Sequence, residues 1–318
     1  MRAAALLAAL APAAMLAGCA ASTPPRPLGA GTVSAAMPAE AKQDAAGQDA
    51  AGQERLRRFQ YLYGSGEAAA LSIATYQALV GHVRGQVATR PAEGVVLTAE
   101  STLDAPSFVG CGDKPLAAVF DVDETLILNL GYEYREAATG RGFDAASWRR
   151  WEETGAARVA AVPGAVAALN ALRRMGVTVV FNSNRSAANA AQTAEALRRA
   201  GLGEAVHGET LFLSGDDAMG GRKDGRRATI AGRYCVIAMA GDQLGDFTDL
   251  FNQDGMTPRG RRSEVSSGWA TKLWGAGWFL LPNPVYGAAL QGGLDDLFPT
   301  DKRWDDPAEE KANALDPR

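Results

Sequence analysis

The chain is poor in the residues that build most metal centres and charged docking faces. Its two histidines, His82 and His207, have no partner at metal-ligand spacing, so both read as structural. Positive charge is not in excess: a formal net charge of -4 leaves no basic field to draw in a phosphate backbone. A nucleic-acid polymer is therefore not an expected partner. The N-terminal apolar run is too short to cross a bilayer comfortably. Cysteine is scarce as well, with Cys19, Cys111 and Cys235 the three in 318 residues. What is present is an ordinary globular balance, 47% hydrophobic and 21% charged, enough for one sizeable core or two small ones.

Residues 1–19, ending MLAGC, place one Arg before small apolar residues and read as a secretory signal. Leu16-Ala17-Gly18-Cys19 resembles a bacterial lipobox, in which Cys19 would carry the lipid and become the mature N-terminus. The expectation is a protein anchored by acyl chains in a bacterial cell envelope, at the outer membrane and facing the periplasm or the surface. Residues 20–52, with the near repeat QDAAGQDAAGQ, are too poor in large apolar side chains to bury a core and read as a flexible tether. The folded domain is expected over 53–310, with 311–318 as a tail. With Cys19 lipidated, Cys111 and Cys235 remain in an oxidising compartment where pairing is possible, and the sequence does not decide it.

Over 53–90, Ser65 can cap a helix, Glu67 sits in its first turn, and Leu71, Thr75, Leu79, Val83 and Val87 recur at helical spacing. One long helix or a broken pair is expected. After a Gly/Pro-rich passage, Leu116 to Asp123 (LAAVFDVD) is a continuous apolar run ending in carboxylates, which suits a strand buried on both faces. The alternation repeats: a helix from Pro163 to Gly176, a strand Val177 to Phe181, a helix Ala187 to Ala200, and short strands at Leu211 to Leu213, Tyr234 to Ala240 and Trp278 to Leu281. This predicts an α/β open parallel sheet with polar residues gathered at strand C-termini, where such sheets bind ligands. The stretch of about 129–162, holding Tyr132, Tyr134, Trp148 and Trp151, is too long for a tight connection and reads as a cap-like insertion.

Asp121 and Asp123 at a strand end can reach one small volume, where they repel each other unless a cation or a shared proton intervenes. Asp242 and Asp246, in GDQLGDF at the end of another strand, add two more acids. Oxygen-only ligands favour Mg²⁺. An EF-hand loop is disfavoured, because no Gly falls at the sixth position and no Glu closes the loop. A hard cation beside a nucleophilic carboxylate suits phosphoryl transfer. Asp121 would attack phosphorus, Asp123 would serve as acid and then base, Ser183 would offer a hydroxyl, and Lys223 in GRKDGRR an ammonium. For Lys223, a solvated basic patch with Arg222, Arg226 and Arg227 is the competing reading.

Together DVDET, FNSNR, Lys223 and GDQLGDF resemble, in order and spacing, the four motifs of the haloacid dehalogenase-like phosphatases. The similarity is greatest to their four-aspartate subgroup of class C acid phosphatases, bacterial surface lipoproteins, and extends through YLYGSGEAAALS, FDAASWRRWEETGAARVAAVPGAV and LPNPVYG. The resemblance implies a Mg²⁺-dependent acid phosphatase acting on phosphomonoesters, 5′-nucleotides among them, through an aspartyl-phosphate, and a homodimer. It implies Asp121 as nucleophile and metal ligand, Asp123 as acid/base and ligand through its carbonyl oxygen, and Asp242 as ligand. Asp246 would support the metal site, with Ser183 and Lys223 on phosphate. Tyr132, Tyr134, Asn184, Arg185 and Tyr286 are candidate substrate contacts. The chain departs from the family at Gln243, usually Asn, and at Tyr63, often Trp. In the dehalogenase-like sheet the strands near Cys111 and Cys235 are neighbours, so a disulfide is plausible, unless Cys235 lies inside its strand and out of reach. Two alternatives use the same fold: a surface ligand-binding lipoprotein, and a phosphotransferase in which an acceptor alcohol replaces water.

Overall fold

The apolar runs of the sequence become the strands of one parallel sheet. A computed structural model of the chain describes Gln53, residues 56–304 and Asp306; the expected signal segment with Cys19, the tether and the 311–318 tail lie outside these residues. A π-helical turn, Gln60–Gly64, leads into helix α1, Gly66–Thr89. The expected break falls at Ser65, whose hydroxyl caps α1 by accepting from the Ala68 amide at 3.1 Å. Strands β1 (Glu93–Leu97) and β2 (Phe108–Gly110) form an antiparallel pair inside the Gly/Pro-rich passage. Then follow β3 (Leu116–Phe120), β4 (Ile127–Leu128), α2 (Leu130–Thr139), α3 (Ala145–Thr154), β5 (Ala160–Ala161), α4 (Ala165–Arg174) and β6 (Thr178–Ser186). The chain continues through α5 (Ala190–Arg199), β7 (Leu211–Ser214), α6 (Asp224–Arg233), β8 (Cys235–Gly241), α7 (Pro258–Ser267) and β9 (Trp278–Leu280). Among the described residues no helix is long and apolar enough to cross a membrane.

The sheet has five parallel strands in the order β7-β6-β3-β8-β9. Alternate residues of each strand serve opposite faces, as the pleat requires. Ala118, Phe120, Val179 and Phe181 pack with Tyr76, Leu79 and Val83 of α1 and with Leu169 and Leu172 of α4. Ala117, Val119, Val180 and Trp278 pack on the other side with Ile230 of α6, Phe247 and Phe251. Each large apolar side chain fully buried this way contributes about 1.5–3 kcal/mol, which is why the strands hold their places and only their ends are free for chemistry. From β3 the chain moves outward to β6 and β7, then returns to lay β8 and β9 on the other flank. That reversal leaves a crevice at the carboxyl ends of β3, β6 and β8, where ligands bind in sheets of this kind.

The pairing of β3 with β8 carries an irregularity: Ala117 pairs Val236, but Ala118 pairs Ala238, so Ile237 is an extra residue. Its carbonyl is met by His82 of α1, 3.0 Å away. A carbonyl only accepts, so His82 donates through Nε2. The histidine is structural, as its lack of ligand spacing implied. His207 pairs with Asp216 on the surface at 2.8 Å.

Cys111 and Cys235 form a disulfide, with Cα atoms 4.6 Å apart and a sequence separation of 124. Cys235 is the first residue of β8, at the open end of the strand, and so remains within reach of the segment ahead of β3. Closing so long a loop stabilises the fold by about 5 kcal/mol in the chain-entropy account. Replacing both cysteines by serine is expected to lower the melting temperature by about 10 °C, and reductant should lower the wild type similarly in a thermal scan. A wild-type melting temperature that reductant leaves unchanged would contradict this account.

Candidate active site

The first acid is placed by the end of β3. The Asp121 amide donates to the Ala240 carbonyl of β8 at 2.9 Å, so the chain leaves the sheet still attached to its neighbour. It then turns sharply: the Val122 carbonyl accepts from the Leu126 and Ile127 amides, at 2.9 and 3.0 Å. Glu124 takes the left-handed conformation in this turn, φ 54°, which is unfavourable for a side chain with a Cβ. Its buried carboxyl is held on several sides. Tyr63 donates to it at 3.1 Å, Tyr286 at 2.5 Å and the Asn129 amide at 2.9 Å. Tyr63, one of the two departures from the family pattern, thus serves through its hydroxyl.

Three carboxylates meet at the crevice. Ligand oxygens of Asp121, Asp242 and Asp246 all lie within 4.8 Å of one another. Asp242 follows the last residue of β8, and its carboxylate accepts from the Thr125 hydroxyl at 3.0 Å, from Asn283 at 2.7 Å and from Gln243 at 3.0 Å. Asp246 packs against Gly241, where any Cβ would fall 2.2 Å from its own, so this close approach requires glycine. Lys223 completes the group: its ammonium donates to Asp121 and, at 2.6 Å, to Asp246. Burial raises the Asp121 carboxyl well above the carboxylate range, with Lys223 opposing and Asp246, Asp242 and Asp123 reinforcing the rise. Burial, aided by Asp246, pushes Asp242 up to about 7. Three carboxylates against one ammonium leave the group short of two positive charges, and a divalent cation with oxygen preference fits that deficit and donor set.

Asp123 faces elsewhere. Its carboxylate accepts from Arg185 Nε at 2.9 Å and Nη2 at 2.7 Å, and from Asn129 at 2.8 Å. The Arg185 side chain, expected among substrate contacts, is buried and occupied by Asp123 and Asn129, and does not line the crevice. Ser183 is fully buried, its hydroxyl 3.5 Å from Asp123 and accepting from the Arg185 amide at 3.1 Å.

The basic run GRKDGRR is not a solvated patch. Arg226 donates to Asn182 at 2.9 Å and to Asn184 at 2.6 Å, while Arg227 holds Asp224 at 2.5 Å and the Gly245 carbonyl at 2.8 Å. Both guanidiniums are buried, and they fix the start of α6 that carries Lys223.

Above the carboxylates lies a cavity of about 380 Å³. Asp121, Asp123, Lys223, Asp242 and Asp246 form its floor, and Tyr132, Asn184 and Tyr286 contribute to its walls. Tyr134, also expected near substrate, is 74% exposed on the other side of α2 and lies outside the lining. A helix of 3.6 residues per turn separates positions two apart by more than half a turn, so Tyr132 and Tyr134 cannot share a face. Sequence reasoning missed Glu124, Thr125, Asn283 and the acids Glu133 and Glu136 of the wall. Thr125 lies inside the motif DVDET and Asn283 inside LPNPVYG, so their motifs were visible and their roles were not.

A family model of the HAD superfamily, subfamily IIIB (acid phosphatase), matches residues 71–289. The chain belongs to this family. It is an acid phosphatase, a phosphomonoesterase of small phosphate esters. The fold is also that of two solved structures of the class C acid phosphatase from Bacillus anthracis. One, with tungstate bound, is 22% identical with a TM-score of 0.61, over 83% of this chain and 95% of that chain. The other is 23% identical with the same TM-score, over 83% of this chain and 96% of that one. The phosphatase fold and the crevice of acids thus coincide in one molecule.

Removing divalent ions and then restoring them should raise the melting temperature by several degrees, about 2.7 kcal/mol at a hundredfold excess over Kd. Asp242→Asn should lose most of that shift. Equal shifts in both proteins would place the ion elsewhere.

Proposed function

We propose that the acid phosphatase hydrolyses phosphomonoesters, 5′-nucleotides among them, through an aspartyl-phosphate on Asp121 with Mg²⁺ as its metal. The observation that carries this reading is the convergence of Asp121, Asp242, Asp246 and Lys223 at the floor of one cavity, with two positive charges wanting. Asp121, Asp242 and Asp246, with the Asp123 carbonyl oxygen, would hold the ion. Mg²⁺ would offset charge on the phosphoryl oxygens, as hard cations do in such transfers.

The side chains divide the rest of the work. Asp121, at the cavity floor, attacks phosphorus as the ester oxygen departs, so one P–O bond forms while another breaks. Asp123 gives its proton to the departing oxygen, then takes one from the water that attacks the aspartyl-phosphate, releasing inorganic phosphate and restoring Asp121. Lys223 donates to the phosphoryl oxygens; the Ser183 hydroxyl, fully buried and outside the cavity lining, faces Asp123 instead. Arg185 and Asn129 hold the Asp123 carboxylate in place, and proton transfer depends on such positioning. The same residues would serve transfer to an alcohol, which differs only in the group that resolves the intermediate. The lipobox-like Leu16 to Cys19 supports a lipid-anchored protein of the cell envelope.

The soluble form lacking the lipid segment, assayed with 4-nitrophenyl phosphate and a 5′-nucleotide, should release phosphate only with Mg²⁺, and Asp121→Asn should abolish release. Asp123→Asn should lower kcat about 10²- to 10⁴-fold on the nucleotide. The loss should be much smaller on 4-nitrophenyl phosphate, whose leaving group departs without a proton. Equal losses on both substrates would remove Asp123 from the role of acid.

A further inference from the structure

The cavity that holds the aspartates also carries two acids that the reaction does not use. Glu133 and Glu136, on α2, both line the cavity and are only 4% and 8% exposed. One oxygen of each carboxyl, Oε2 of Glu133 and Oε1 of Glu136, has no hydrogen-bond partner among the described residues. Buried polar atoms are nearly always paired, so two orphans on one wall call for a partner that arrives from the cavity. Tyr132, Phe143 and Trp148 share that wall, Tyr132 meeting the Trp148 ring edge-on at 5.0 Å and Phe143 tilted against it at 6.4 Å.

The charges indicate what kind of partner. Lys223 is the one cation among the described lining residues, and Asp121 and Asp246 already engage it. Asp123 is matched by Arg185. A divalent ion would close the balance of Asp121, Asp242 and Asp246, so Glu133 and Glu136 are the acids left over. Arg58 acts on both and Arg135 on Glu136, but neither lines the cavity. Burial, then the neighbouring Glu124 and Glu136, push the Glu133 carboxyl up to about 8, the direction expected where negative charge is crowded and short of a cation.

We infer that Glu133 and Glu136, with the rings of Tyr132, Phe143 and Trp148, form a subsite for a positively charged nitrogen on the leaving group, and that the enzyme prefers phosphomonoesters of alkylammonium alcohols. Carboxylates supply the counter-charge and aromatic faces the soft, weakly hydrating wall that quaternary ammonium groups favour. The phosphoryl group lies on Asp121 while the ammonium reaches the α2 wall. The inference rests on the phosphatase reading of Asp121.

The test compares choline phosphate with 3,3-dimethylbutyl phosphate, its uncharged carbon isostere, with 4-nitrophenyl phosphate as the control for turnover. The wild type should favour choline phosphate by roughly tenfold in kcat/KM, and Glu133→Gln with Glu136→Gln should bring that ratio towards one. Because the ratio is taken within each protein, a general loss of activity or of folded fraction does not disturb it. A wild-type ratio near one, a ratio the double variant leaves unchanged, or turnover of the control alone would overturn the subsite. Should even 4-nitrophenyl phosphate fail, the phosphatase reading of Asp121 falls. Calorimetric binding of choline against 3,3-dimethylbutanol then still decides the subsite, with equal affinities counting against it.

Discussion

The site is organised around one buried ammonium. Lys223 lies between Asp121 and Asp246, with Asp242 close by, and without it three carboxylates would face one another out of water. Removing one partner from such a buried group generally costs about 3–5 kcal/mol, because the remaining charges are left uncompensated. The arrangement therefore makes two demands on the rest of the molecule. The ammonium must be delivered from a helix start, and the carboxylates must arrive from two strand ends at the same level. Arg226 and Arg227, buried and bonded to Asn182, Asn184, Asp224 and Gly245, meet the first demand. The parallel pairing of β3 with β8 meets the second.

A further shell keeps the acids from drifting. Asp242 is held by Thr125, Asn283 and Gln243, so the turn after β3, the strand end of β8 and the segment after β9 are fastened to one carboxylate. Asp123 is fastened to β6 through Arg185 and to Asn129, the residue ahead of α2, which also accepts from Trp151 at 2.9 Å. The two aspartates of DVDET, one residue apart, thus belong to different networks. One is tied to Lys223 and the Ala240 carbonyl, the other to Arg185 and Asn129, and both line the one cavity.

Much of this was legible in the chain because the chemistry sits in short, ordered motifs at the ends of apolar runs. The strands over Leu116 to Phe120 and Cys235 to Gly241 could be read from continuous apolar residues, and the acids from their place just after them. The pair β1 and β2 could not: five and three residues, set among Gly and Pro, give no periodicity to count. Arg185 looked like a substrate contact because it follows Ser183 and Asn184 in FNSNR, but the length of its side chain carries it back under the crevice to Asp123. For the GRKDGRR run a surface patch stood as the competing reading, since burial of guanidinium depends on acceptors such as Asn182 and Gly245 that are distant in sequence. Glu133 and Glu136 belong to none of the motifs, and only the packing of α2 against the cavity distinguishes them.

The extra residue in β8 has a consequence for how the active site is addressed. Side chains alternate along a strand with period two, and a bulge, by setting two residues against one, lets the pairing resume in phase beyond the extra residue. Ile237 is that insertion, and His82 accommodates it by taking up the carbonyl the ladder would leave displaced. Downstream lies GDQLGD, with both acids of the crevice. The position of Asp242 beside Asp121 is therefore a matter of counting as well as of composition. Ile237 and Ala238 serve the same face of the sheet while Val236 and Met239 serve the other, so β8 carries one residue more than β3 and still brings Ala240 level with Phe120 at the end that holds the acids. A histidine on a helix remote from the chemistry thus caps the one irregularity between the two strands that deliver the carboxylates.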